Sequence, residues 1–222
     1  MRLLLIRHGQ TTNNVSGALD TAIPGAELTP LGQAQAQAVP EALADVPVAG
    51  IYASRLVRTQ MTAAPLASVR RLDVVVRPGL EEISAGELEL RRDPDARQAY
   101  IDTLAAWMTG DLGHAMPGGP DGHHFLGRYA EAIDAVVGAH DDDATVAVVS
   151  HGAAIRVFSA IAAGIDVERA DGMPLLNTGM ATLRTDGSRW SLEEWHSDPL
   201  GGHGLEDTVA VDPTGDRVPT HD

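Results

Sequence analysis

Two short apolar runs that each stop at a histidine constrain this chain more than any other feature. Leu3-Leu4-Leu5-Ile6 leads into Arg7-His8-Gly9, and Thr145-Val146-Ala147-Val148-Val149 leads into Ser150-His151-Gly152. Unbroken leucine and β-branched runs of this length read as strands buried on both faces, the pattern of a parallel sheet covered by helices. In such sheets ligands bind in the crevice outside the carboxyl ends of the strands. The residues directly after each run are therefore the ones that face a ligand.

The rest of the chain follows the same rhythm. Strands are expected at 2–6, 50–53, 73–77 and 145–149, with later ones near 180–184 and 190–195. Alanine-rich stretches between them read as helices near 56–67, 96–108, 126–139 and 153–163. A further helix starts at the Thr29-Pro30 pair, an N-cap followed by a first-turn proline, and Pro40 is expected to end or kink it. Alternating strands and helices give an α/β class with a mainly parallel central sheet. With 222 residues and 44% apolar content, residues 1–195 are expected to form one domain. Residues 109–124, rich in glycine and proline and containing His114, His123 and His124, read as a mobile excursion, part of a lid-like insertion at about 83–127. Residues 196–222 read as an extended or disordered tail.

Two absences narrow the chemistry. All 16 basic residues are arginine, and there is no cysteine. Without lysine there is no P-loop and no Schiff-base mechanism, and without cysteine no thiol phosphatase, disulfide framework or thiolate metal site. A formal charge of −15 argues against nucleic acid or anionic lipid as a partner. No apolar run approaches the ~18 residues of a membrane span and the N-terminus is too short for a signal peptide, so a cytoplasmic protein with no membrane association is expected. No His-Glu-x-x-His or comparable spacing calls for a metal, and no cofactor is expected.

Four predicted strand ends supply one inventory: Arg7-His8, then Ser54-Arg55 with Arg58 one turn on, then Glu81-Glu82, then Ser150-His151. Guanidinium groups offer planar, bidentate charge to phosphate oxygens. An imidazole can attack phosphorus, and a protonated carboxyl can release its proton to the departing oxygen. This set suits phosphoryl transfer without a metal, with a small phosphorylated metabolite or phosphate anion as partner.

Arg7-His8-Gly9-Gln10-Thr11 with Asn14 resembles the signature of the histidine phosphatase superfamily, the phosphoglycerate mutase-like proteins. Leu28-Thr29 with Gly32, Ser54-Arg55, Arg58-Thr59, Leu80-Glu81-Glu82 with Gly86 and Glu89, and Ser150-His151-Gly152 continue the likeness over roughly residues 1–185. The resemblance implies a three-layer α/β/α fold and a phosphohistidine formed on His8. It places Arg7, Arg58 and His151 around the phosphate, Glu82 as proton donor, and Asn14 and Gly9 as further phosphate contacts. Arg55, Gly152 and Thr11 are added as substrate contacts; Thr11 is also a loop-shaping residue, and Arg55 is equally suited to a structural ion pair.

The same family contains phosphatases and mutases. The segment Val15-Ser16-Gly17-Ala18-Leu19-Asp20 lacks the aromatic character of the mutases, and His151-Gly152-Ala153-Ala154-Ile155-Arg156 looks like the phosphatase members. A phosphomonoester hydrolase is therefore favoured. The alternatives are a cofactor-dependent phosphoglycerate mutase and a catalytically silent phosphate-binding protein on the same fold. Ser150 is not read as a nucleophile, because no Gly-x-Ser-x-Gly elbow surrounds it. The oligomeric state is left open, a homodimer among the options.

Overall fold

The computed structural model describes residues 1–166, 169–170 and 172–210. Its strands are β1 (Arg2–Arg7), β2 (Val48–Ala53), β3 (Val74–Val76), β4 (Thr145–Ser150), β5 (Met180–Thr185) and β6 (Trp190–His196). They form one sheet in the order β3-β2-β4-β1-β5-β6. The first four run parallel, and β5 and β6 add an antiparallel edge.

Successive side chains of a strand point to opposite faces, and here each face has its own core. Leu4, Ile6, Ala147 and Val149 pack with Val39 from α2 (Pro30–Ala42), with Leu43 that caps its end, and with Ala63 and Leu66 from α3 (Val57–Arg70). Leu3, Leu5, Val146 and Val148 pack on the other side. There they meet α4 (Pro94–Met108), α5 (Gly122–Val137) and α6 (Gly152–Ala162), through Tyr100, Trp107, Tyr129, Ile133 and Phe158. The result is the expected three-layer α/β/α arrangement, and it explains why the two central strands carry unbroken apolar runs, Leu3 to Ile6 and Val146 to Val149.

Several local expectations change. A short helix α1 (Thr12–Ser16) follows β1, closed by a reciprocal capping box between Thr11 and Asn14 and by Gly17 at φ 68°. Thr29 caps α2 as expected, accepting from the Gly32 amide at 3.0 Å. That helix nevertheless continues through Pro40 to Ala42, because the proline sits in the last turn, where it removes one bond without blocking the end.

Residues 109–124 are not a loose excursion. Trp107 Nε1 donates to the His114 carbonyl at 2.7 Å, the Gly122 amide to the Leu112 carbonyl at 2.9 Å, and Met116 is buried. Asp121 then caps α5, which starts four residues before the expected 126. Short turns with their own hydrogen bonds leave little trace in a glycine- and proline-rich sequence.

The stretch expected to be a tail also needs correction as far as residue 210. Ser197 accepts from the Leu176 amide at 2.9 Å, and a 3-10 turn at His203–Leu205 follows. Gln35 Nε2 donates to the Leu205 carbonyl at 2.8 Å, and Gln10 Nε2 to Asp207 Oδ2 at 2.7 Å. Polar contacts and the single apolar anchor Leu200 hold this segment, so no apolar periodicity announces it. Residues 211–222 lie outside the described residues. Among the described residues no helix is long and apolar enough to cross a membrane.

The turn after β1 lies directly on the first turn of α2. A Cβ on Gly32 would stand 2.1 Å from the Gln10 carbonyl oxygen, and one on Gly9 would stand 2.6 Å from the Gly32 carbonyl oxygen. Gly32→Ala therefore has to push the histidine-bearing turn away from α2, and about 1–3 kcal/mol of destabilisation is expected in urea unfolding. A variant as stable as the wild type would show that this close approach does not constrain the turn.

Candidate active site

Parallel pairing of β1 with β4 aligns Arg2 with Thr145 through to Arg7 with Ser150, so His8 and His151 leave adjacent strands at the same level. Their rings meet edge to face, with centroids 5.3 Å apart and planes inclined by 62°. Both side chains are buried. The Nδ1 of His8 lies 2.7 Å from the Gly9 carbonyl, which can only accept, so the proton sits on Nδ1 and the lone pair on Nε2. His151 is held at Nε2 by Ser54 Oγ at 2.8 Å, while its buried Nδ1 has no hydrogen-bond partner among the described residues. Burial, with the nearby Arg58 and Arg7, pushes the His8 imidazole well below its ordinary pKa. Burial, Arg58 and His8 do the same to His151. Both rings are thus held neutral around neutral pH.

Two buried guanidinium groups stand beside them. Arg7, the last residue of β1, donates through Nη1 to the Leu175 carbonyl at 2.8 Å. Arg58, in the first turn of α3, donates through Nη2 to the Asp20 carbonyl at 2.7 Å and through Nη1 to Asp20 Oδ2 at 3.3 Å. Its buried Nε has no partner among the described residues. Such an unmatched buried polar atom, like His151 Nδ1, costs stability unless a bound group satisfies it.

Glu82 sits over the start of α6. Its Oε1 accepts from the Ala154 amide at 2.8 Å and the Ile83 amide at 2.9 Å, and Oε2 from Ala153 at 3.2 Å. Burial raises its pKa even though these amides and Arg58 favour the ionised form. Arg128 of α5 anchors the loop that carries it, donating to the carbonyls of Gly79, Glu81 and Glu82 at 2.8, 2.9 and 2.6 Å. Ser150 braces the same loop: its Oγ donates to the Leu80 carbonyl at 2.8 Å and accepts from Tyr129 Oη at 3.0 Å.

His8, His151, Arg7, Arg58 and Glu82 therefore come together. The remaining candidates have other engagements. Thr11 and Asn14 form the capping box of α1, and Asn14 also lies 3.4 Å from Asn177 Nδ2. Gly9 donates its amide to Thr62 Oγ1 at 2.9 Å, and Gly152 opens α6 beside His151. Arg55 is half exposed and paired with Glu81 at 2.6 Å, which favours the structural reading of this residue. Sequence reasoning missed the supports Arg128, Tyr129, Asp20 and Asn177, whose Nδ2 donates to the His8 carbonyl at 3.1 Å. They lie within helices and loops that carry no motif.

Residues 3–198 match the model of the histidine phosphatase superfamily, branch 1. The chain belongs to this superfamily. Among curated relatives, it is 35% identical over 223 residues to a PE-PGRS family protein of Mycobacterium tuberculosis. That match takes in 93% of this chain but spans only 38% of the relative's length. It is 32% identical to the adenosylcobalamin/alpha-ribazole phosphatase of Escherichia coli, over 86% of this chain and 88% of that one. The structure of a mycobacterial glucosyl-3-phosphoglycerate phosphatase in complex with VO3 superposes with a TM-score of 0.75 at 26% identity, covering 89% of this chain and 99% of that one.

Buried neutral imidazoles also set how this histidine phosphatase superfamily chain responds to acid. The unfolded chain protonates His8 and His151 as pH falls through about 6.5, while the folded chain, with depressed values, does not, so stability is lost on that side. Glu82 acts in the opposite sense, since its raised value lets the folded chain keep a proton that the unfolded chain releases above the ordinary glutamate range. Two imidazoles outweigh one carboxyl, so unfolding free energy should decline from about pH 7 to about pH 5.5, and less steeply in His8→Asn. Urea titrations across that range test this; equal slopes in the two proteins would contradict it.

Proposed function

We propose that this chain is a metal-independent phosphomonoester hydrolase that works through a phosphohistidine on His8. The observation that carries the reading is the pair of neutral imidazoles at adjacent strand ends, with Glu82 buried beside them and its pKa raised. His8 Nε2 holds the lone pair needed for attack. Arg7, Arg58 and His151 Nδ1 are donors for the phosphoryl oxygens, whose charge grows and spreads in the transition state.

In the first step His8 Nε2 forms a bond to phosphorus as the ester oxygen departs, and protonated Glu82 supplies that oxygen with its proton. The alcohol leaves. In the second step water attacks the phosphohistidine, Glu82 takes a proton from the water, and phosphate and free His8 are released. Arg128 and Ser150 hold the Glu82 loop and so act as positioning residues. Phosphatases among the relatives at about 30% identity favour hydrolysis over transfer.

Hydrolysis of p-nitrophenyl phosphate without added metal is the direct test, and His8→Ala should lower it by roughly a thousandfold or more. Activity retained in that variant would reject the mechanism. Conversion of 3-phosphoglycerate to 2-phosphoglycerate, given 2,3-bisphosphoglycerate, would instead establish the mutase alternative. Binding of phosphate without turnover would establish the silent one.

Glu82→Gln gives a second check. Loss of a general acid costs about a hundredfold or more for an alkyl phosphate, whose alkoxide cannot leave unprotonated. p-Nitrophenolate leaves unaided, so its release should suffer much less. With wild-type enzyme, kcat/KM for an alkyl phosphate should fall as pH rises through the raised Glu82 value, and Glu82→Gln should lack that limb. An equal loss on both substrates would remove Glu82 from the role of proton donor.

A further inference from the structure

The anion site contains a countercharge that the mechanism above does not use. Asp20 has a side chain only 9% exposed, and its Oδ2 accepts from Arg58 Nη1, from Asn13 Nδ2 at 2.9 Å and from the Ala26 amide at 2.9 Å. Its carbonyl takes the second Arg58 nitrogen. The loop then closes over the guanidinium: Gly25 has φ +73°, and a Cβ there would stand 2.4 Å from Arg58 Nη1. A second carboxylate, Glu89, is fixed nearby by the Thr21 and Ala22 amides at 2.9 and 3.0 Å and adds to the negative field at Arg58.

Around the Arg58 fork the charges nearly balance before any substrate arrives. Arg7 and Arg58 are positive, Asp20 and Glu89 are negative, and the two imidazoles are neutral. Two further cations nearby carry their own carboxylates: Arg55 is bound by Glu81 and Arg91 by both oxygens of Asp93. Arg128 stands on the far side of the Glu82 loop, held by three carbonyls. A phosphate group alone draws on all the positive charge that Arg7 and Arg58 offer. A further carboxylate or phosphate on the substrate would enter a region of weak screening beside Asp20 and Glu89.

We infer that the site takes phosphomonoesters whose alcohol is neutral or cationic, and that the Asp20 carboxylate bound to Arg58 enforces this choice. The inference rests on the phosphatase reading. Asp20 thereby has two effects, orienting the phosphate-binding fork through hydrogen bonds and repelling a second anionic group through its charge.

Glycerol 3-phosphate and 3-phosphoglycerate form a matched pair, alike in size and differing in a hydroxymethyl or carboxylate terminus. Wild-type kcat/KM should favour glycerol 3-phosphate by about tenfold or more, with phosphocholine also preferred over 3-phosphoglycerate. Asp20→Asn, which keeps an acceptor for Arg58 and removes the charge, should narrow the ratio by about threefold or more. Asp20→Ala should narrow it too, even where overall turnover drops, because a ratio of two substrates on one enzyme does not depend on the fraction folded.

Comparable turnover of 3-phosphoglycerate and glycerol 3-phosphate by the wild type would overturn the inference. An unchanged ratio in both Asp20 variants would remove Asp20 as its cause. p-Nitrophenyl phosphate serves as the reference: failure of its His8-dependent hydrolysis takes both readings down, whereas its survival without discrimination removes only this one.

Discussion

The in-register parallel pairing of β1 with β4 is the constraint on which the rest depends. Because Arg7 lies opposite Ser150, the next residue on each strand is a histidine, and the two rings meet 5.3 Å apart, although 143 positions separate them in sequence. A shift of one residue would turn every side chain of one strand to the opposite face. It would move Leu3 and Leu5 into the layer built for Leu4 and Ile6, so the two hydrophobic cores and the imidazole pair are set by the same register. Function here depends on the sheet's packing as directly as stability does.

Burying two imidazoles, two guanidinium groups and a carboxyl in one place is costly, and the surrounding backbone offsets much of that cost. Amides of α6 receive Glu82, carbonyls receive Arg7 and Arg58, and the Gly9 carbonyl selects the His8 tautomer. What is left unmatched is informative. Among the described residues His151 Nδ1 and the Arg58 Nε donor lack partners, and a tetrahedral anion with several oxygens suits such a gap.

The sheet and the five central residues were legible because strand-end chemistry leaves a compact mark in sequence. Arg7-His8-Gly9 and Ser150-His151-Gly152 each place a histidine directly beyond a buried run. The supports were not legible. Arg128 acts across α5 on carbonyls of the 79–82 loop, and nothing in the local sequence around it differs from a solvated arginine on an amphipathic helix. Asp20 lies in a loop with no periodicity, and its importance appears only when Arg58 folds onto it. The segment from 197 to 207 shows no periodicity either, because the glutamines at 10 and 35 and the single apolar anchor Leu200 dock it.

Neutral rings and a raised carboxyl are also consistent with one another as chemistry. A protonated His8 would have no lone pair and an ionised Glu82 no proton, so the same low-dielectric surroundings favour the neutral form of each, the forms that the proposed mechanism needs. Burial alone would equally depress the charge of Arg58, and Asp20 counters this by stabilising the guanidinium as an ion pair. The carboxylate that keeps this arginine charged necessarily lowers the net positive potential available to a substrate. Anion affinity at this fork is therefore held below what an unpaired guanidinium would give.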